Sequence, residues 1–329
     1  MNEFLSRVRR LIVTTIAVGF CAFGTTSVRA QDLKIRIGHF PNVTHAQALV
    51  ARNFERQGRN WYADRLGTKI KVEWYAYNAG PGAMEAIFAE SIDLTYVGPN
   101  PAINAYARSG GREIRIVAGS VNGGSALVVQ SGESLAAAAD FRGKRVATPQ
   151  FGNTQDVAAR AWLSAGGLRI TQAGGDAQVI PTANPEQLSL FKTGQLDAVW
   201  TVEPWVSRLE MEAGGKILVE DKEAVTTVLV ARAAFLSEHR DLVRRFVDGH
   251  HDLSDWIKRH PSDARRMILD ELKASFRVSM SRELIARAWA RMAVTSEISP
   301  SALQTFVTKA QQLGFLREMP ELSRLIEVP

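Results

Sequence analysis

The sequence predicts an α/β protein of two similar lobes, with mostly parallel sheets, helices on both faces and a cleft between the lobes. Short apolar strand patterns alternate with amphipathic helix patterns, as expected when parallel strands are joined by helical crossovers. A weak internal repeat points the same way: Met84, Ile87, Ile92 and Asp93 recur as Leu188, Phe191, Leu196 and Asp197. The 329 residues also exceed the usual size of a single hydrophobic core.

Ile35-Arg36-Ile37-Gly38 alternates as a short strand, and His45 to Trp61 has helical spacing. Lys69 to Tyr75 alternates again. Gly80-Pro81-Gly82 starts a helix that runs through Ala89, with proline in the first turn, where its missing N–H costs nothing. Asp93 to Val97 is strand-like. Lys144 to Thr148 is a further strand, followed by the turn Gly152-Asn153-Thr154-Gln155 and the helical run Val157 to Ala165. In both copies of the repeat a helix turns at a small-residue corner, Glu90-Ser91-Ile92 or Gly194-Gln195-Leu196, into a strand that delivers a proline-containing loop. The apolar runs Ala126 to Val129 and Val225 to Ala231 are read as two crossings between lobes. Lobe 1 then comprises residues 32–130 and 223–329, and lobe 2 residues 131–222. After Phe235 the pattern is helical almost to the end, broken at Pro261 and Pro300. This tail is expected to pack on lobe 1 without touching ligand.

The first thirty residues have the layout of an export signal: Arg7, Arg9 and Arg10 precede an apolar stretch from Leu11 to Phe23, and Val28-Arg29-Ala30 offers a cleavage site after Ala30. The expected location is periplasmic. Cys21, the sole cysteine, lies in that stretch, so the mature chain has no thiol or disulfide chemistry; lipid attachment at Cys21 is disfavoured by the bulky Phe20 before it. Residues 1–30 hold four of the 40 basic and one of the 34 acidic residues, leaving 36 against 33. The remaining charges of both signs are interspersed, which gives no nucleic-acid stripe.

Three ordered motifs, AGPGAMEAIFAESIDLTYVGPNPAINA (79–105), GNTQDVAARAWL (152–163) and LFKTGQLDAVWTVEPW (190–205), resemble the solute-binding proteins of nitrate, sulfonate and taurine ABC importers. The likeness covers nearly the whole chain after Gln31. It implies the type II periplasmic binding protein fold, a small oxyanion or sulfonate as ligand, an ABC permease as partner, a monomer, and no cofactor, metal or catalysis.

In open α/β sheets ligands bind beyond the carboxyl ends of the strands, where loops enter helices. Six loops satisfy that rule. Phe40 to His45 offers Thr44, as helix cap or ligand donor, and His45, whose imidazole could serve as a charged donor. Gly80 to Ala83 allows close backbone approach at Gly82, a loop the family uses for ligand. Asn100 in Gly98-Pro99-Asn100-Pro101 is either a cap or a donor, and Ser125 follows two glycines at the presumed hinge. Asn153, Thr154 and Gln155 combine polar side chains with a helix start, where unpaired N–H groups and the helix dipole favour an anion. Trp205 in Val202-Glu203-Pro204-Trp205 is a wall over the ligand or an interlobe packing residue, and Glu203 is expected to bond backbone or hinge groups.

None of the six loops contains Lys or Arg. That suits a diffuse monoanion such as a sulfonate or nitrate better than phosphate. The leading reading is capture of an aliphatic sulfonate or taurine by hinge closure. Nitrate, bicarbonate or a neutral thiamine precursor is the alternative within the fold. Enzymes on this fold, of the thiamine-pyrimidine synthase or menaquinone-pathway lyase type, are the rival class; the synthase type needs a cysteine-rich loop that the mature chain lacks. His250 and His251 are adjacent, without zinc-site spacing, on a helix read as lying at the surface.

Overall fold

In the computed structural model, residues 33–67, 69–132, 134–171, 174–318 and 322–329 are described. The export signal, the cleavage site after Ala30 and Cys21 lie outside them. The chain begins with β1 (Leu33–His39), a 3-10 turn (Val43–His45), α1 (Ala46–Arg56), α2 (Ala63–Leu66), β2 (Ile70–Ala76), α3 (Gly80–Phe88), β3 (Leu94–Val97), α4 (Pro99–Arg108) and β4 (Ile114–Gly123). It continues through β5 (Ser125–Val129), β6 (Arg145–Thr148), α5 (Thr154–Ala165), β7 (Ile170–Thr171), β8 (Gly174–Gly175), β9 (Gln178–Pro181), α6 (Asn184–Lys192), β10 (Ala198–Val202), α7 (Trp205–Ala213) and β11 (Lys216–Glu220). The last stretch comprises β12 (Val225–Arg232), α8 (Ala233–Glu238), α9 (Arg240–Arg259), α10 (Pro261–Phe276), α11 (Arg282–Trp289), β13 (Met292–Val294) and α12 (Pro300–Gln312).

Two sheets organise these elements, with strand orders β13-β4-β12-β3-β1-β2 and β11-β5-β10-β6-β9; β7 and β8 form a small separate ribbon. In the first, β1 runs parallel to β2 and β3; in the second, β6 runs parallel to β9 and β10. The strands toward the crossings, β12, β4 and β5, pair antiparallel. Each sheet therefore has a parallel half that carries the helix-entry loops and an antiparallel half next to the hinge. Apolar clusters cover both faces of both sheets, which is why the buried strands read as near-continuous apolar runs.

The internal repeat is a repeated ion pair. Asp93, before β3, accepts from the Arg36 backbone N–H and Nε on β1 at 2.9 and 3.0 Å. Asp197, before β10, accepts from the Arg145 N–H and Nε on β6 at 2.7 and 3.3 Å. In both copies the carboxylate fixes where one parallel strand starts against its neighbour, so the two halves present their helix-entry loops alike.

The chain crosses between sheets at Gly123-Gly124 and at residues 221–224. Both glycines have positive φ, +69° and +70°, and a side chain on Gly123 would collide with the Arg291 carbonyl; glycine is required there. Ala126 to Val129, expected as a crossing within lobe 1, belongs to β5 (Ser125–Val129), which pairs with β10 and β11 of the second sheet.

The helical tail is more involved than expected. Pro261 and Pro300 open α10 and α12 instead of merely interrupting a pattern. α9 and α10 pack on α1, where the buried Glu271 carboxylate takes Arg52 at 2.8 Å and Arg56 at 2.9 Å. α12 lies on α4 and also touches α5 of the other lobe. His250 is not at the surface: it is buried on the inner face of α9, with Tyr96 Oη 3.0 Å from Nδ1 and the Gly119 carbonyl 2.8 Å from Nε2.

Candidate functional site

Four helices begin at one cavity. Ala79 and Gly80 (start of α3), Gly98 and Pro101 (α4), Asn153 to Gln155 (α5) and Asn184 (α6) line it, together with Asn42, Thr44, His45, Asn78, Thr226 and Thr227. Each of the four follows a strand of a parallel half, as the topology requires. The first residues of a helix leave N–H groups unpaired, and aligned peptide dipoles make that end electropositive. Only α5 has a side-chain cap, Asn153 Oδ1 accepting from Asp156 N–H at 2.8 Å; the residues before α3, α4 and α6 are Ala79, Gly98 and Ala183, with none. Pro81, Pro99, Pro101 and Pro185 carry no N–H, so α3, α4 and α6 offer fewer donors than α5, and the cavity is lined by no Lys, Arg, Asp or Glu.

The two lobes are closed on it. A Cβ on Gly98 would collide with Thr154 Oγ1 across the cleft. The enclosed space is about 30 Å³, room for one or two waters or a compact headgroup. Two of its lining hydroxyls are buried and bonded to nothing among the described residues, Thr154 Oγ1 and Thr227 Oγ1; Asn100, likewise buried with Nδ2 and Oδ1 unpartnered among them, is next to the lining residues in the chain but not itself one of them. Buried polar atoms are nearly always paired, so such a cluster marks where a ligand's atoms belong.

Of the residues singled out in the sequence, Thr44, His45, Asn153, Thr154 and Gln155 line the cavity. Thr44 lies in the 3-10 turn, and no side-chain cap forms there. His45 is buried and takes the Phe40 N–H on Nδ1 at 3.3 Å, which leaves its proton on Nε2. Burial, with His39 nearby, holds its pKa well below the ordinary 6.5; of the states the sequence left open, this favours the neutral imidazole. Asn153 Nδ2 donates to Gln155 Oε1 at 3.2 Å, and Gln155 Nε2 reaches Ser125 Oγ at 3.4 Å, so Ser125 stands one residue back from the cavity.

Gly82, Asn100, Ser125 and Trp205 are not among the lining residues. The helix starts at Gly80, two residues earlier than the glycine chosen, and Gly82 faces Tyr77. Trp205 is buried between the lobes, its Nε1 donating to Asn42 Oδ1 at 3.1 Å; it positions the cavity-lining Asn42. Asn78, Asn184, Thr226 and Thr227 line the cavity without having been singled out. Asn78 and Asn184 carry the strand-end signal used for the other loops. Thr226-Thr227 interrupts an apolar run with two hydroxyls.

Glu203 closes the back of the site. Its carboxylate accepts from Ser207 N–H (3.1 Å), Ser207 Oγ (2.9 Å) and Arg291 Nη1 (3.1 Å), and its carbonyl accepts from Val43 N–H at 3.1 Å. Burial pushes this carboxyl up to about 7, against the pull of Ser207 and Arg291. Among the described residues no helix is long and apolar enough to cross a membrane, and no group of three or more His, Cys, Asp or Glu could hold a metal.

A protein of Bacillus subtilis (strain 168) named as an aliphatic sulfonates-binding protein is 26% identical over 265 residues, covering 78% of this chain and 75% of that protein. The alkanesulfonate-binding protein SsuA from Xanthomonas axonopodis pv. citri, solved bound to MOPS, superposes with a TM-score of 0.71 at 19% identity over 90% of this chain and 97% of the other. The periplasmic nitrate-binding protein NrtA from Synechocystis PCC 6803 gives 0.70 at 17% over 86% and 82%. These likenesses fix the architecture as the two-lobed periplasmic binding protein fold. The NMT1-like family model matches residues 29–270, and the chain belongs to the NMT1-like family.

Proposed function

We propose that this chain is the extracytoplasmic solute-binding component of an ABC importer, and that its lobes close over the headgroup of a sulfonate. The observation that carries the reading is the neutral cavity where four helix starts meet the Thr154 and Thr227 hydroxyls, which have no partner among the described residues. A sulfonate is ionised throughout the physiological range and spreads one charge over three oxygens. It needs donors from several directions and no compensating cation, and helix N-termini with hydroxyls supply that. A phosphate dianion would ask for Lys or Arg, and the ammonium of taurine for a carboxylate; the lining has neither.

The hinge in this reading is Gly123-Gly124 with residues 221–224, and the ligand bridges α4 of lobe 1 and α5 of lobe 2, favouring closure. The closed form presents itself to a membrane permease, in keeping with the export signal read in the sequence, and the protein acts as a monomer. Catalysis finds no support in the lining: it offers no cysteine, lysine or carboxylate, and its one imidazole is neutral and occupied on Nδ1. The names of the relatives, which bind sulfonates or nitrate, agree with this class of ligand.

Isothermal titration with ethanesulfonate, taurine, nitrate, bicarbonate and phosphate tests the reading. Ethanesulfonate is expected to bind more tightly than taurine and phosphate. Binding of nitrate alone would move the assignment to a planar oxyanion, and binding of none would refute it.

A further inference from the structure

A second, larger chamber adjoins the cavity. Thr154, Gln155 and Thr226 border both spaces. Beyond them lies a volume of about 490 Å³ between α5 and α12, closed below by β10, β11 and the crossing at 221–226. Its walls are mainly apolar, with Ala158, Ala161 and Trp162 on α5, Trp200 on β10, and Ala302 and Phe306 on α12; Asp221, Glu223 and Lys309 also line it. None of the six apolar residues is fully buried, so an apolar surface is left uncovered where the lobes meet.

We infer that the chamber receives the apolar tail of the ligand, and that the preferred solute is an arylsulfonate whose headgroup fills the helix-ringed cavity while its ring lies between α5 and α12. This rests on the sulfonate reading above and narrows it. The headgroup space has no room for more than a few atoms, so any larger ligand must leave it past a bordering residue, and Thr154, Gln155 and Thr226 border the apolar side. Gln155 is held to Ser125 by a bond of 3.4 Å, at the long limit for such contacts, so it can move aside at little cost. The small Ala158, Ala161 and Ala302 leave a slot between aromatic residues of both lobes, Trp162 and Trp200 with ring centroids 6.3 Å apart on one side and Phe306 on the other. A flat ring fits such a slot, and the transfer of apolar surface from water strengthens binding by roughly fourfold per buried methylene equivalent. The ring also glues α5 to α12, adding to closure.

The test is titration of ethanesulfonate, benzenesulfonate and naphthalene-2-sulfonate against the parent, Ala161→Phe and Ala302→Phe. The two substitutions fill the slot from helices of different lobes at half-buried or exposed positions, and thermal melting of each variant confirms folding. The parent is expected to bind naphthalene-2-sulfonate at least tenfold more tightly than ethanesulfonate, and each variant to lose that advantage while keeping the ethanesulfonate Kd within about twofold. Ethanesulfonate binding with no aryl advantage overturns the chamber and leaves the sulfonate reading standing. An aryl advantage untouched by both variants places the ring elsewhere and also overturns it. If no sulfonate binds, both readings fall together.

Discussion

Thr154 and Thr227 keep buried hydroxyls with no partner among the described residues, so the unliganded protein bears the cost of desolvating them without a hydrogen bond in return. Replacing either by the isosteric valine removes that cost, and an apolar replacement at an unsatisfied site is neutral or stabilising. Thr154→Val and Thr227→Val should therefore leave the melting temperature unchanged or slightly raised while weakening sulfonate binding about tenfold, near 1.4 kcal/mol. Parallel losses of stability and binding would mean that the hydroxyls have structural partners. His45 gives a second expectation: with its pKa held well below 6.5 by burial, it is neutral across the neutral range, and affinity should be flat from pH 6.5 to 8.5. A fall through pH 7 that persists in Glu203→Gln would restore the charged imidazole; one that disappears there belongs to the Glu203 carboxyl. The strand-end rule made Thr44, His45 and Asn153 to Gln155 legible in sequence because helix starts are written in small and polar residues. It could not decide between Gly80 and Gly82, since both fit a helix entry and only the observed start separates them. Nor could it foresee that Trp205 would spend its N–H on Asn42, a pairing across two distant loops.

At the level of elements, the strands and helices of the parallel halves were readable because period and punctuation agree, and the repeated Arg–Asp pairs show why the repeat survives in Asp93 and Asp197. The tail packs on lobe 1 as its spacing implied; its added contacts to lobe 2 were not legible, because amphipathic spacing says that a helix packs, not on what. The turn after α11 carries Arg291, which reaches from lobe 1 to Glu203 (3.1 Å), Ser207 Oγ (3.0 Å), Glu210 and Glu220 (3.5 Å) of the second lobe. Arg287 adds a contact to Glu210 at 3.2 Å. Removing the cation from a buried pair leaves an uncompensated carboxylate, so Arg291→Met should cost on the order of 3 kcal/mol in urea melts. Glu203 sets the pH dependence. Its folded pKa of about 7 lies above the ordinary 4.5, so its contribution to stability is full below 4.5 and is lost as pH rises through 7. Without Arg291 the charged form is harder still to bury, and the destabilisation should be larger at pH 8 than at pH 5.5. Glu203→Gln in the Arg291→Met background should erase that difference; its persistence would assign the pH effect to Glu210 or Glu220.

Across the whole molecule, three histidines are sealed in the interior as neutral groups. Burial, with Arg52 nearby, takes His39 down to about 3; burial takes His250 down to about 4 and holds His45 well below 6.5. Each binds its proton more weakly folded than unfolded, so the stability they contribute is full above about 6.5 and is lost as pH falls below it toward the folded values. At pH 5 the loss is on the order of 2 kcal/mol for His39 and for His250, from 1.5 units at about 1.4 kcal/mol per unit, and His45 adds in the same direction. Glu203 acts in the opposite sense over the same window, gaining on the order of 2–3 kcal/mol between pH 7 and 5. Three groups against one leave a net loss, so the urea midpoint should decline between pH 7 and 5. Glu203→Gln should make that decline steeper by removing the opposing group, whereas His250→Gln, which can keep a donor toward the Gly119 carbonyl and an acceptor toward Tyr96, should make it shallower. The two variants move the slope in opposite directions only if burial sets these protonation states. A decline unaltered by either would place acid sensitivity in the exposed carboxylate pairs of the surface and remove the buried histidines from the account.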